Sequence, residues 1–103
     1  MHIKVAAIQM VSTTNLEQNM ATAERLLEQA ADQGAQWALL PEYWPIMGRK
    51  DTDKLALAEP FGQGVLQTFL AATAKRLGMV IIGGTIPLQS EAENKVLNTM
   101  LTY

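Results

Sequence analysis

Glu42 is the residue of this sequence best placed to do chemistry, because it follows the apolar run Trp37-Ala38-Leu39-Leu40 and Pro41. Open α/β sheets gather reactive side chains at the C-terminal ends of their strands. A carboxylate held against Trp37, Tyr43 and Trp44 would lose water, which raises its pKa toward the range of a general base or acid. Residue physics alone leaves a second reading open, a solvated loop glutamate. The other chemistry-bearing types are sparse. With no cysteine there is no thiolate nucleophile, disulfide or thiolate metal site. Ser12 and Ser90 lack a Gly-x-Ser-x-Gly elbow and the one histidine is His2, so a serine triad is not expected. Lys50, Lys54, Lys75 and Lys95 read as solvated charges on loop or helix surfaces. One histidine and scattered carboxylates predict no metal site. Gly62, Gly64 and the pair Gly83-Gly84 match no phosphate-binding pattern and read as helix-start and strand-end glycines, the missing side chains of the pair permitting close backbone approach.

The elements that must position Glu42 follow from periodicity. Ile3 to Gln9 is rich in Ile, Val and Ala, which suits a strand covered on both faces. Thr14 with Glu17, or Asn15 with Gln18, has the spacing of a helix start. Leu16, Met20, Ala23, Leu27 and Ala30 then fall on one helical stripe, and Gly34 suits the left-handed residue past its end. Trp37 to Leu40 is a second strand, stopped by Pro41. Tyr43 to Pro60 has no clear period, and long loops in compact domains are often functional. Leu66, Phe69, Leu70 and Leu77 mark a second helix ending at Gly78. Met79 to Ile82 and Val96 to Tyr103 are the third and fourth strands. The order strand-helix-strand-helix-strand-strand predicts an α/β layered domain with right-handed crossovers.

Composition narrows the functions. Ten acidic and eight basic residues give a net charge of −2 with no basic field, so nucleic acid is not an expected partner. No apolar run approaches the roughly 20 residues that span a bilayer, and no leader pattern stands at the N-terminus, so the expected location is cytoplasmic. The apolar ending without a polar tail predicts a domain that continues, making residues 1–103 a single partial domain cut after its fourth strand.

Several segments together resemble the nitrilase superfamily of carbon–nitrogen hydrolases. Gly34 to Glu42 is similar to the block in which a helix-ending Gly-Ala leads into an apolar strand and Pro-Glu. Val5-Ala6-Ala7-Ile8-Gln9 resembles the family's opening strand, Asn19 its early helix asparagine, and Gly83-Gly84-Thr85-Ile86-Pro87 its glycine-bearing third strand. Asn98-Thr99 resembles a Tyr-Asn-Thr/Ser step, with Leu97 in the place of the tyrosine. Within the superfamily, the run from Met10 through Glu42 resembles the branch hydrolysing small amides of keto acids, which includes ω-amidase and deaminated-glutathione amidase.

The resemblance implies the N-terminal part of an αββα sandwich and a cofactor-free Glu-Lys-Cys mechanism acting on small amides or, failing these, nitriles. Glu42 matches the glutamate, the general base. The lysine and cysteine lie in the family after the strand on which this chain ends, so the 103 residues alone are expected to be inactive. The loop carrying Trp44, Met47 and Arg49 is expected to shape the substrate pocket. Arg49 has two open readings, a partner for a substrate carboxylate or a solvent-facing side chain. Half of a sandwich exposes a sheet face, so a homo-oligomer is expected. The competing expectation is a natural truncation acting as a non-catalytic interaction module, or a gene remnant.

Overall fold

Three short parallel strands, in the order β1-β2-β3, form the sheet of the computed structural model, which describes residues 2–50 and 52–103. They are β1 Val5–Ala7, β2 Trp37–Leu39 and β3 Val80–Ile82. Between them run α1 Leu16–Asp32, α2 Thr52–Leu57 and α3 Val65–Leu77. β4 Ile86–Gln89 and β5 Val96–Thr99 make a separate antiparallel pair. Residues 101–103 then return to β3: Tyr103 and Ile81 exchange backbone hydrogen bonds, each 2.9 Å.

The α1 stripe folds as its spacing predicts, with Ala23, Leu27 and Ala30 buried. Of the two candidate helix starts, Asn15 is the one used: its side-chain oxygen accepts from the Gln18 N–H at 2.9 Å. Gly34 has φ 87, and Gly78 closes α3 in the left-handed region at φ 62.

The stretch 43–60 contains a helix that periodicity did not reveal, α2, because six residues are too few to display a repeat. The fourth strand candidate is likewise two pieces. Val96–Thr99 pairs with β4 and residues 101–103 with β3, so the apolar run from Val96 crosses between two sheets.

Coverage of the sheet departs from expectation. Register aligns Ala6, Ala38 and Ile81 in one row and Val5, Trp37 and Val80 in the next. The first row faces the helices, and Ala38 and Ile81 are fully buried with Leu27, Leu66 and Leu70. The second row faces out, leaving Val5 60% and Trp37 41% exposed. Successive right-handed crossovers that advance in one direction place both helices on the same side of a sheet, which accounts for this. The expectation of a first strand covered on both faces is thus corrected. The accessible surface, 6526 Å², exceeds the roughly 5,700 Å² typical of a folded monomer of 11.3 kDa.

Candidate active site

Glu42 lies two residues beyond Leu40, whose N–H donates to the Ile82 carbonyl at 3.0 Å and so continues the parallel ladder past β2. Gly84, at φ 61, packs against the same turn. A Cβ there would run into the Pro41 carbonyl oxygen and stand 2.8 Å from that of Leu40. The missing side chain at Gly84 lets the two strand ends touch, as the glycine pair predicted.

After Glu42 the chain turns sharply. Tyr43 has φ 47, a left-handed conformation that costs a bulky residue on the order of 1 kcal/mol or more. Its N–H donates to Thr85 Oγ1 at 2.8 Å, and the Trp44 indole N–H donates to the Gly83 carbonyl at 2.8 Å. The following residues are fastened to the β1–α1 loop and to the first turn of α1. Ser12 Oγ donates to the Trp44 carbonyl at 2.8 Å, Asn19 Nδ2 to the Pro45 carbonyl at 2.7 Å, and Met47 N–H to the Thr13 carbonyl at 2.9 Å. Asp53 on α2 holds the far end of the loop, its carboxylate accepting from Arg49 N–H at 2.8 Å and Lys50 N–H at 3.2 Å.

These constraints enclose a cavity of about 240 Å³ lined by Glu42, Tyr43, Met47, Arg49, Lys50 and Lys54, among others. Glu42, Met47 and Arg49 therefore come together. Trp44 does not join them: it is fully buried, and its ring packs on Phe69 at a centroid distance of 5.8 Å. It supports the loop from beneath instead of facing the cavity. The desolvation expected for Glu42 is also not seen, since its side chain is exposed and Trp37 stands at the opposite end of β2.

Two contributors were not assigned to the site from sequence. Asn98 on β5 donates from Nδ2 to Glu42 Oε2 at 3.3 Å, a contact across 56 positions. Lys54 is part-buried, with Nζ 4.1 Å from the centroid of the Tyr43 ring. The unrecognised α2 hid Lys54, while Asn98 carried a signal only as a family landmark. Burial, and then the neighbouring Glu42 charge, hold the Tyr43 hydroxyl above the ordinary tyrosine value, so it stays protonated and able to donate. Among the described residues no group of three or more His, Asp or Glu could hold a metal ion, and no helix is long and apolar enough to cross a membrane.

Residues 4–103 match the model of the family described as carbon-nitrogen hydrolase. A deaminated glutathione amidase of Synechocystis is 36% identical over 95 residues, covering 91% of this chain and 34% of that protein. The chloroplastic omega-amidase of Arabidopsis thaliana is 31% identical over 102 residues, covering 96% and 27%. The chain thus spans about a third of the length of such relatives. Among solved structures, Saccharomyces cerevisiae Nit3, of branch 10 of the nitrilase superfamily, superposes with a TM-score of 0.83 at 22% identity, covering 98% of this chain and 39% of that one. The Caenorhabditis elegans NitFhit protein gives 0.81 at 21%, covering 95% and 24%. Those two likenesses establish the fold, and with a family match that runs over residues 4–103 the chain belongs to the carbon-nitrogen hydrolases.

Proposed function

We propose that this chain supplies the base-bearing part of an amidohydrolase site for small amides, with Glu42 as general base. The observation that carries the reading is the placement of Glu42 at a strand end, beside a small cavity and fixed by Asn98. In a Glu-Lys-Cys mechanism the glutamate takes the thiol proton as sulfur attacks the amide carbon, and a lysine stabilises the oxyanion that forms. This chain has no cysteine, so the nucleophile must come from elsewhere, and the 103 residues alone release no ammonia from an amide. Met47 and Arg49 contact the substrate directly, and Trp44 acts by holding their loop.

The test is a chimera in which this chain replaces the matching third of the Synechocystis amidase. Ammonia release from a small amide by the chimera, abolished in Glu42→Gln, is expected. A chimera that folds but hydrolyses equally well with glutamine at this position would remove Glu42 from the mechanism.

A second reading, an interaction module that acts without catalysis, is favoured by the apolar outer sheet face that carries Val5, Trp37 and Leu39. In that reading the chain self-associates through its open sheet face. Both readings keep small molecules or protein, not nucleic acid or membrane, as the partners, and both place the chain in the cytoplasm.

A further inference from the structure

Among the described residues, three cations border the cavity beside Glu42, and they are not equivalent. Arg49 and Lys50 are exposed and lie on the loop whose backbone Asp53 holds. Lys54 is on α2, part-buried, with its ammonium seated over the Tyr43 ring. Tyr43 is itself fixed by its hydrogen bond to Thr85. A cation already held in place gives up less side-chain freedom when a ligand arrives than an exposed one does. Among the described residues that line the cavity, Glu42 is the one carboxylate, against Arg49, Lys50 and Lys54. The balance of charge there favours an anion, and about 240 Å³ is below the roughly 300–1,000 Å³ of sites for drug-sized ligands. A small acid of a few carbons fits.

We infer that Lys54 is a specificity-determining residue of this site, the fixed cation that receives the carboxylate of a small amide acid whose amide end lies toward Glu42. The inference rests on the amidohydrolase reading for the orientation of the ligand but not for its charge. Lys54 read from sequence as a solvated surface charge; its seat on Tyr43 gives it a different role. A ligand carboxylate approaching Lys54 forms a charge-assisted hydrogen bond while the ring keeps the ammonium from swinging into solvent. Arg49, exposed at the rim, contributes attraction that salt screens.

The test is a titration of the 103-residue chain, followed by NMR, with glutaramate, with its uncharged diamide glutaramide, and with inorganic phosphate. Glutaramate is expected to shift Tyr43, Met47 and Lys54 resonances and to bind at least about tenfold more tightly than glutaramide, the scale of one charge-assisted hydrogen bond. Lys54→Met is expected to remove that preference, Lys54→Arg to keep part of it, and Arg49→Met to weaken it less than Lys54→Met does. Equal binding of glutaramate and glutaramide, a preference that survives Lys54→Met, or phosphate binding as tight as glutaramate would each overturn the inference. Charge-selective binding together with a chimera indifferent to Glu42→Gln would support Lys54 while removing the hydrolase reading. Unselective binding in a chain whose chimera depends on Glu42 would do the reverse.

Discussion

Asn19 on α1 donates from Nδ2 to the carbonyl of Pro45 at 2.7 Å, joining the first helix to the loop that follows Glu42. The same amide donates to the Thr13 carbonyl at 2.8 Å, and its oxygen accepts from Thr13 N–H at 2.8 Å and Thr13 Oγ1 at 3.0 Å. A side chain only 1% exposed thus satisfies backbone groups of two loops at once. Leucine has the same branched skeleton but no polar atoms, so Asn19→Leu leaves the Pro45 carbonyl and Thr13 N–H without partners at about 1–3 kcal/mol each. The expected result in urea is a loss of a few kcal/mol, with the Met47 and Arg49 resonances broadened. Unchanged stability would show that water replaces the amide at no cost.

Gly84 fixes the other side of the Glu42 turn. Its φ of 61 and its contact with the Pro41 carbonyl both oppose a side chain. Gly84→Ala is expected to push β3 and β2 apart at their C-terminal ends and to cost more than the roughly 1 kcal/mol of a left-handed alanine alone. Gly78→Ala is the control: its φ is 62, but no atom stands within 4 Å of where the Cβ would be. Thermal melts of the pair separate the clash from the strain, and equal losses would mean that the close approach contributes nothing.

How far the sequence reveals this site depends on the range of the signal. The α1 stripe, the strand ending at Leu40 and the Gly84 contact were legible, because periodicity, proline and glycine act over a few residues. The role of Trp44 was not. An aromatic residue two positions after Glu42 reads as a pocket wall, yet the left-handed Tyr43 rotates the next side chain into the core against Phe69. The open outer face of β1 was hidden for a related reason: an Ile, Val and Ala run looks the same whether one face or two are covered. Lys54 reaches Tyr43 over 11 positions and Asn98 reaches Glu42 over 56, both only through tertiary pairing that no local pattern encodes.

Glu59 is buried yet takes no part in the cavity. Its carboxylate caps α3 in place of the helix's own start residue, Gly64: Oε2 accepts from Leu66 N–H at 2.7 Å, and Oε1 from Gln67 N–H at 3.2 Å and Gln67 Nε2 at 3.0 Å. Its backbone meanwhile bonds to Pro87 and Gln89, so α3 and β4 share one anchor. Glu59→Ala is expected to cost about 1–3 kcal/mol through the freed N–H groups. Amide hydrogen exchange should rise at Leu66 and Gln67. If exchange there stayed slow, the cap would be redundant.

Tyr43 offers a pH readout of the Glu42 neighbourhood. Burial first, and the Glu42 charge second, hold its hydroxyl above the ordinary 10.0. The folded chain therefore keeps this proton at a pH where the unfolded chain has released it. Its contribution to stability is complete below about pH 10 and is lost as pH rises through the folded value. Tyr103 is raised as well, by burial and then Glu59, so the ultraviolet titration belongs in a Tyr103→Phe background. Glu42→Gln is expected to lower the Tyr43 midpoint, though not back to 10.0, because the burial contribution remains. A midpoint that does not move would separate the two side chains electrically.

The outer sheet face supplies the last prediction. Register puts Val5, Trp37 and Val80 in one row and Ala7, Leu39 and Ile82 in the next, with no charge in either. The surface above that of a typical folded monomer is roughly 800 Å², about what one partner buries in a standard protein interface. Face-to-face packing of two such sheets, near 10 Å apart, would cover both rows. Light scattering on the 103-residue chain is expected to show self-association that rises with concentration. Trp37→Lys and Leu39→Lys should suppress it, since each would bury an unpaired ammonium in the contact. Helical content should be retained, because these side chains point away from α1 and α3. Association that persists in both variants would move the contact to another part of the surface, such as the free edge of β1.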